Sequence, residues 1–251
     1  MILKMIAIEF KKIRSTPALW ISILGPFFIS LLLFLIFYSG NNYGGYGANP
    51  YDALLSRSWN FPSIVLIPMF VVIINSLIIN IEHSSGGWKM LLTAPVSRFL
   101  VYVSKWISIS LVILLTFLMM ALFILGFVML LSLLKPDAGF SGHNPDLQIF
   151  FWRTLKMFIA TLAMSTLQYQ LSLWMKNSFK SIGIGLIGVI AGMILMEWKY
   201  IDYFPYAYTG RSFTEFDPGN TGILLHEYLS LGYMAVFLIA GWFLWKGKQF
   251  K

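Results

Sequence analysis

The sequence predicts an all-α integral membrane protein: six transmembrane helices, an N-terminal amphipathic interfacial helix, and a short cytoplasmic element between spans two and three. Three observations predict it. Of 251 residues, 58% are hydrophobic and only 11% charged. A soluble domain carries about 25% charge, so one core cannot cover this much apolar surface and lipid has to serve as solvent. Six stretches reach the roughly 20 mainly apolar residues that a spanning helix needs. Basic residues crowd alternate connections, as they do in a chain threaded back and forth through a bilayer. No internal repeat or low-complexity linker divides the chain, so residues 1–251 read as a single membrane domain.

At the N-terminus Ile2, Ile6, Phe10 and Ile13 recur at helical spacing, with Lys4, Lys11, Lys12 and Arg14 mostly on the other side. This reads either as a helix lying flat on the inner leaflet, basic face toward anionic lipid, or as a charge cluster that only sets topology. The opening residues lack a small-residue cleavage site, so the first span is expected to remain in the mature protein. Pro17 bends the chain into a first span over 18–38. The second covers 61–80. The third lies in 104–134, and the preceding turns, "SRFLVYVSKW", project from the membrane or lie on it. The remaining spans cover 149–174, 182–198 and 227–245.

Six spans put both termini on one side. With them fall Lys4, Lys11, Lys12, Arg14, Lys89, Arg98, Lys105, Lys176, Lys180, Lys246, Lys248 and Lys251, twelve of the 18 basic residues; only Glu9 and Glu82 of the 10 acids join them. Lys and Arg stay inside, so both termini are expected in the cytoplasm of a bacterial inner membrane. Arg153 and Lys156, near the opposite end of span four, can snorkel to the surface.

Reaction chemistry is missing. The chain has no phosphate-binding G-x-x-x-x-G-K-[ST] loop, no H-E-x-x-H and no G-x-S-x-G. It is not read as an enzyme, and no cofactor or metal is assigned to it. His226 with Glu227, or His143 with Asp146, could hold a metal, but surface roles suit them better. The basic residues form no single patch for nucleic acid. Within the spans the polar groups are neutral: Asn75, Gln168 and Gln170 either line a path or bond helix to helix. Gly188 and Gly192 form a G-x-x-x-G, suited to packing within the chain or against a second subunit.

One stretch breaks the pattern: "NIEHSSGGWKMLLTAPVSRFL", residues 80–100. Gly86 and Gly87 end a helix, Pro95 interrupts the next turns, and Ser97 can cap the helix of span three. The result is a short amphipathic element at the membrane surface, with Trp88 and leucines as apolar anchors beside Lys89 and Arg98. It reads as a docking element or as an inert loop.

Together "EFKKIRST" before span one, Glu82 followed by Gly86, "LLTAPVSR" with its Leu-Leu-x-x-Pro-x-Ser-Arg pattern, and the basic "KNSFKS" between spans four and five resemble the membrane subunit of type-2, exporter-like ABC transporters (ABC-2). Permeases of lantibiotic-immunity and bacitracin-type exporters are the most similar in layout. In place of a more charged run common in relatives, this chain has "SSGG". The resemblance implies a permease that moves a hydrophobic or peptide substrate outward, a separate ATP-hydrolysing subunit that binds ATP and Mg, and a second permease subunit, identical or related. It implies that Glu82, Trp88, Lys89, Pro95 and Arg98 couple the chain to that ATPase, that residues 2–14 form a connecting helix, and that residues 199–226 hold short membrane-dipping helices. A membrane immunity or sensor protein that binds a peptide at its outer face, without transport, is the alternative.

The chain contains no cysteine, so single introduced cysteines report sidedness cleanly. Ser85→Cys is expected to resist a membrane-impermeant maleimide in intact cells and to react after permeabilisation. Asn144→Cys is expected to react in intact cells.

Overall fold

The computed structural model describes residues 2–40, 49–88, 96–136, 139–175, 177–219 and 222–247. Lys89 and Pro95 lie outside these. Among the described residues the regular structure is helical throughout, and six helical stretches are long and apolar enough to cross a membrane.

Helix α1 (Ile2–Ile13) turns Met5, Phe10 and Ile13 toward the core and leaves Leu3, Lys4, Ile8 and Lys11 outside. It packs along the long helix of the third span. Thr16 and Pro17 start α2 (Pro17–Ser39), proline's fixed φ suiting the first helical position. The buried residues of α2 are Ala18, Ser22, Pro26 and Ser30, one every fourth position. This small-residue stripe lets α2 lie close to its neighbours. The opposite face, with Trp20, Phe28, Leu32 and Ile36, is exposed as lipid-facing surface should be.

The second span differs from expectation. It begins at Pro50, not 61: α3 (Pro50–Phe61) runs through a π turn (Pro62–Leu66) into α4 (Ile67–Ser84). The start has a legible signature, Asn49 capping Tyr51 N at 3.1 Å with Pro50 first and Asp52 in the opening turn. Pro62 and Pro68 lack the amide for an α-helical bond, and the wider π turn absorbs the irregularity.

The third span is one unbroken helix, α5 (Arg98–Leu134), whose first turns are packed against α1 and do not stand free. Ser97 Oγ accepts from Leu100 N at 3.3 Å to begin it. Helices α6 (Leu147–Trp174) and α7 (Ser178–Ile194) are capped by Asp146 and Asn177. Three 3₁₀ turns (Leu195–Glu197, Ile201–Tyr203, Pro205–Ala207) and the short α8 (Tyr208–Thr214) then fold back onto the bundle. Tyr208 is buried beside Ala160 and Ala163, and Thr209 bonds Thr161 at 2.8 Å. Helix α9 (Leu225–Lys246) closes the chain along α6, where Ser230 Oγ donates to Ile159 O at 2.8 Å.

Two ends can be told apart by contacts. At the far end Asn49 reaches Asn144 O, Asp52 reaches Asp146 N, and Lys135 reaches Tyr38 O. At the terminal end Arg98 donates to Lys246 O and Lys105 meets both Glu9 and Glu82.

Glycines set the closest approaches. A Cβ on Gly185 would stand 2.6 Å from both Gln168 Oε1 and Val72 Cγ1; one on Gly188 would strike the Tyr206 ring; one on Gly192 would press its backbone. The G-x-x-x-G therefore seats the folded-back segment of its own chain. Overpacking a tight site costs about 1–3 kcal/mol, so Gly185→Val is expected to lower the melting temperature in detergent measurably. Gly183→Ala, whose Cβ meets nothing within 4 Å, is expected to be neutral.

Candidate functional site

The terminal end holds a buried ionic cluster drawn from three helices: Glu9 and Lys12 of α1, Glu82 of α4 and Lys105 of α5. Lys105 Nζ lies 2.6 Å from Glu9 Oε2 and 3.1 Å from Glu82 Oε1. Lys12 Nζ lies 2.8 Å from Glu82 Oε1 and 3.3 Å from Glu9 Oε1. Two carboxylates and two ammoniums give zero net charge. Lys105, Glu9 and Glu82 are almost wholly out of solvent, while 30% of the Lys12 side chain remains accessible.

Local sequence builds this arrangement. Helix α4 stops because Gly86 adopts φ +63°, a left-handed conformation that glycine takes without strain. Gly87 then passes so near the Glu82 carboxylate that a Cβ there would collide with Oε2. The pair of glycines thus ends the helix and makes room for its last buried acid. Glu9 and Lys12 stand three apart on α1, so both reach the same side of their helix.

The next residues seal the cluster. Trp88 Nε1 donates to His83 Nδ1 at 3.1 Å, and His83 Nε2 lies 3.1 Å from Ser172 O. An indole N–H can only donate and a carbonyl can only accept. The pair therefore selects neutral His83 with its proton on Nε2. The Trp88 ring lies 5.8 Å from Lys105 Nζ and edge-on to Trp245 of α9 at 5.9 Å.

Burial by itself would lower the Lys12 pKa, but the hydrogen bond to Glu82 and the charges of Glu9 and Glu82 outweigh it and raise the value. A raised lysine pKa contributes stability that is whole below the unfolded value and fades as pH climbs through the folded one. That fading begins above roughly pH 10.4, so this lysine stays charged and paired at neutral pH.

The structure brings Glu82 and Trp88 together. Trp88, expected as an anchor offered to a partner, is 4% exposed and spends its ring on its own chain. Arg98 stays apart and exposed, donating to Lys246 O at 3.1 Å. Asn75 is buried, donating to Val71 O at 2.8 Å and Ser165 Oγ at 3.3 Å. Gln168 joins Ser76 and Ser181 and accepts from Tyr206 Oη. Gln170 bonds Tyr102 Oη and Phe237 O. A Cβ on Gly241 would collide with the Gln170 amide. All three amides tie helix to helix. Of the paired metal candidates, His226 sits against Glu215 at 3.3 Å, while Glu227 accepts from Ser212 and from Leu224 N.

Glu9, Lys12, Lys105 and His83 were not among the expected site residues. A signal existed: Glu9 is the lone acid in a basic segment, and Lys105 the lone charge inside a long apolar run. Charges so placed need partners. Which partner each finds depends on the fold.

A family model described as ABC-2 family transporter protein matches residues 5–192. No curated protein matches the chain. The matched span takes in α1 through most of α7, and with them every member of the ionic cluster.

Removing one partner of a buried ion pair costs about 3–5 kcal/mol. Lys105→Met is therefore expected to lower the melting temperature in detergent sharply, and adding Glu9→Gln to recover part of the loss. Lys12→Met is expected to cost less, because this lysine is partly hydrated.

Proposed function

Since the chain belongs to the ABC-2 family of transporter proteins, we propose that it is the membrane permease of an ATP-driven exporter that carries a hydrophobic or peptide substrate, such as an antibiotic, bacteriocin or lipid-like molecule, out of the cytoplasmic membrane of a bacterium. The family pairs its permeases with an ABC ATPase subunit. That subunit binds ATP and Mg, and this chain needs no cofactor of its own. Two permease subunits, identical or related, flank the path. Both termini lie in the cytoplasm, and α1 rests on the inner leaflet with Lys4, Lys11 and Arg14 toward anionic headgroups.

One observation carries the reading of mechanism: Glu82 and Trp88, at the start of the connection between α4 and α5, are tied to α1, α5 and α9 by ion pairs and ring contacts. A push delivered to that connection by the closing ATPase reaches several helices at once. Glu82 transmits it through Lys105 and Lys12. Trp88 acts from inside as a wedge. Lys89, Pro95 and Arg98 make the contacts with the ATPase. Tyr206 and Tyr208 are buried against neighbouring helices, so these two rings are not offered to a peptide, which weighs against the non-transporting alternative.

Affinity purification of the tagged chain from native membranes, followed by mass spectrometry, is expected to recover a P-loop ATPase. Arg98→Glu is expected to reduce that recovery. Lys105→Met combined with Glu9→Gln, which recovers part of the stability, is expected to keep the complex and lose substrate-stimulated ATP hydrolysis. Recovery of no ATPase from active membranes would refute the proposal.

A further inference from the structure

At the far end a cleft opens between α3, the first turns of α6 and residues 216–218. It consists of two adjoining hollows of about 920 and 280 Å³ that share Asp146, Ile149 and Pro218. Phe151, Trp152, Leu155 and Phe216 wall the larger one, and Trp152 and Leu155 are well exposed there. Arg153 lines the smaller.

Beneath this cleft lie two cations lacking ion pairs among the described residues. By sequence Arg153 and Lys156 can snorkel outward; the structure turns Lys156 inward and leaves Arg153 half-buried at the cleft. Lys156 is 2% exposed, and its ammonium donates to a neutral acceptor, Gly222 O, at 2.5 Å. Arg153 donates to the neutral Ser56 Oγ at 2.8 Å, and its buried Nε has no acceptor among the described residues. No carboxylate of the described residues stands within ion-pair distance of either. The Phe216 ring covers both, 4.4 Å from the guanidinium and 5.4 Å from the ammonium.

The acids nearby are engaged elsewhere. Asp52 lines the smaller hollow but accepts from Asp146 N and Asn49 Nδ2. Asp146 caps α6 through Ile149 N. A cation drawn out of water without a carboxylate at contact distance is expensive; the Asp52 charge acts on Arg153 only from beyond ion-pair distance, and Arg153 and Lys156 share one aromatic cover at the edge of an apolar cleft. An anion reaching past Phe216 would meet the unused guanidinium N–H and, behind it, the ammonium, while an apolar body lies along Trp152 and Leu155.

We propose that this cleft binds an amphiphile with a phosphate or carboxylate head and an apolar body. The proposal holds whether or not the chain works with an ATPase. The full-length protein, purified in neutral maltoside detergent, would be titrated with dodecyl phosphate and bound molecules counted by native mass spectrometry. One bound dodecyl phosphate is expected. Arg153→Gln and Lys156→Met should each weaken it about tenfold or more, the value of a charge-assisted hydrogen bond, and Arg153→Lys should retain most of the affinity. Arg153→Gln decides alone if Lys156→Met does not fold. Inorganic phosphate alone should not displace the probe, which separates a lipid-like ligand from a free anion. Undiminished binding by Arg153→Gln, displacement by inorganic phosphate, or preference for dodecyltrimethylammonium, which would hand the site to Asp52 and Asp146, would each overturn it.

Discussion

A charge removed from water must be answered by an opposite charge, or the fold loses several kcal/mol. That constraint organises the terminal end of this bundle. Lys105 sits well inside the first turns of the longest helix, where nothing of its own helix can neutralise it. It is held by an acid from the N-terminal helix and an acid from the end of the second span. Lys12 closes the square from the more hydrated side. The glycine pair that ends α4 exists in this light as packing as much as punctuation, since Gly87 lies where any side chain would displace the Glu82 carboxylate.

The contacts among α4, α6 and α7 are of a different kind. Asn75 with Ser165, and Ser76, Ser172, Ser181 and Gln168 with Tyr206, form neutral hydrogen bonds across α4, α6, α7 and the folded-back segment. Such bonds in a membrane contribute about 0.6 kcal/mol on average, and hydroxyls can exchange partners at small cost. The ionic cluster cannot. A bundle built this way is stiff where α1, α4 and α5 meet and yielding where α4, α6 and α7 touch. In the proposed mechanism, motion imposed at the terminal end would be carried as a unit and dissipated as rearrangement in the polar seam. That is a workable division of labour for a permease.

Much of the fold was legible from residues alone, because a bilayer imposes a length on its helices. Each of the six apolar runs corresponds to a helix, and Ser97 caps the helix of span three as short polar residues do. The beginning of the second span was missed, since α3 carries Arg57, Ser58 and Asn60 and reads as polar until the π turn joins it to α4. The sequence runs span five to 198, whereas its helix ends at Ile194; residues 199–226 read as short helices only through the family resemblance, and that Tyr206 fills the notch left by Gly188 and Gly192 requires three dimensions. The candidate site was half visible. Glu82 and the glycines announced a break, whereas the partnership of residues 9, 82 and 105 joins positions too far apart in sequence for any spacing rule. The same limit hid the inward fold of Lys156, which composition alone sends to the surface.

The central claim is that the ionic cluster makes α1 and the end of α4 one moving part. Pairs of spin labels at Ser15 and Ser85, and at Ser85 and Lys180, measured by pulsed electron resonance in nanodiscs with the ATPase partner, test it directly. On trapping ATP, the Ser15 to Ser85 distance should hold while the Ser85 to Lys180 distance shifts. A Ser15 to Ser85 distance that changes as much as the other would contradict the account.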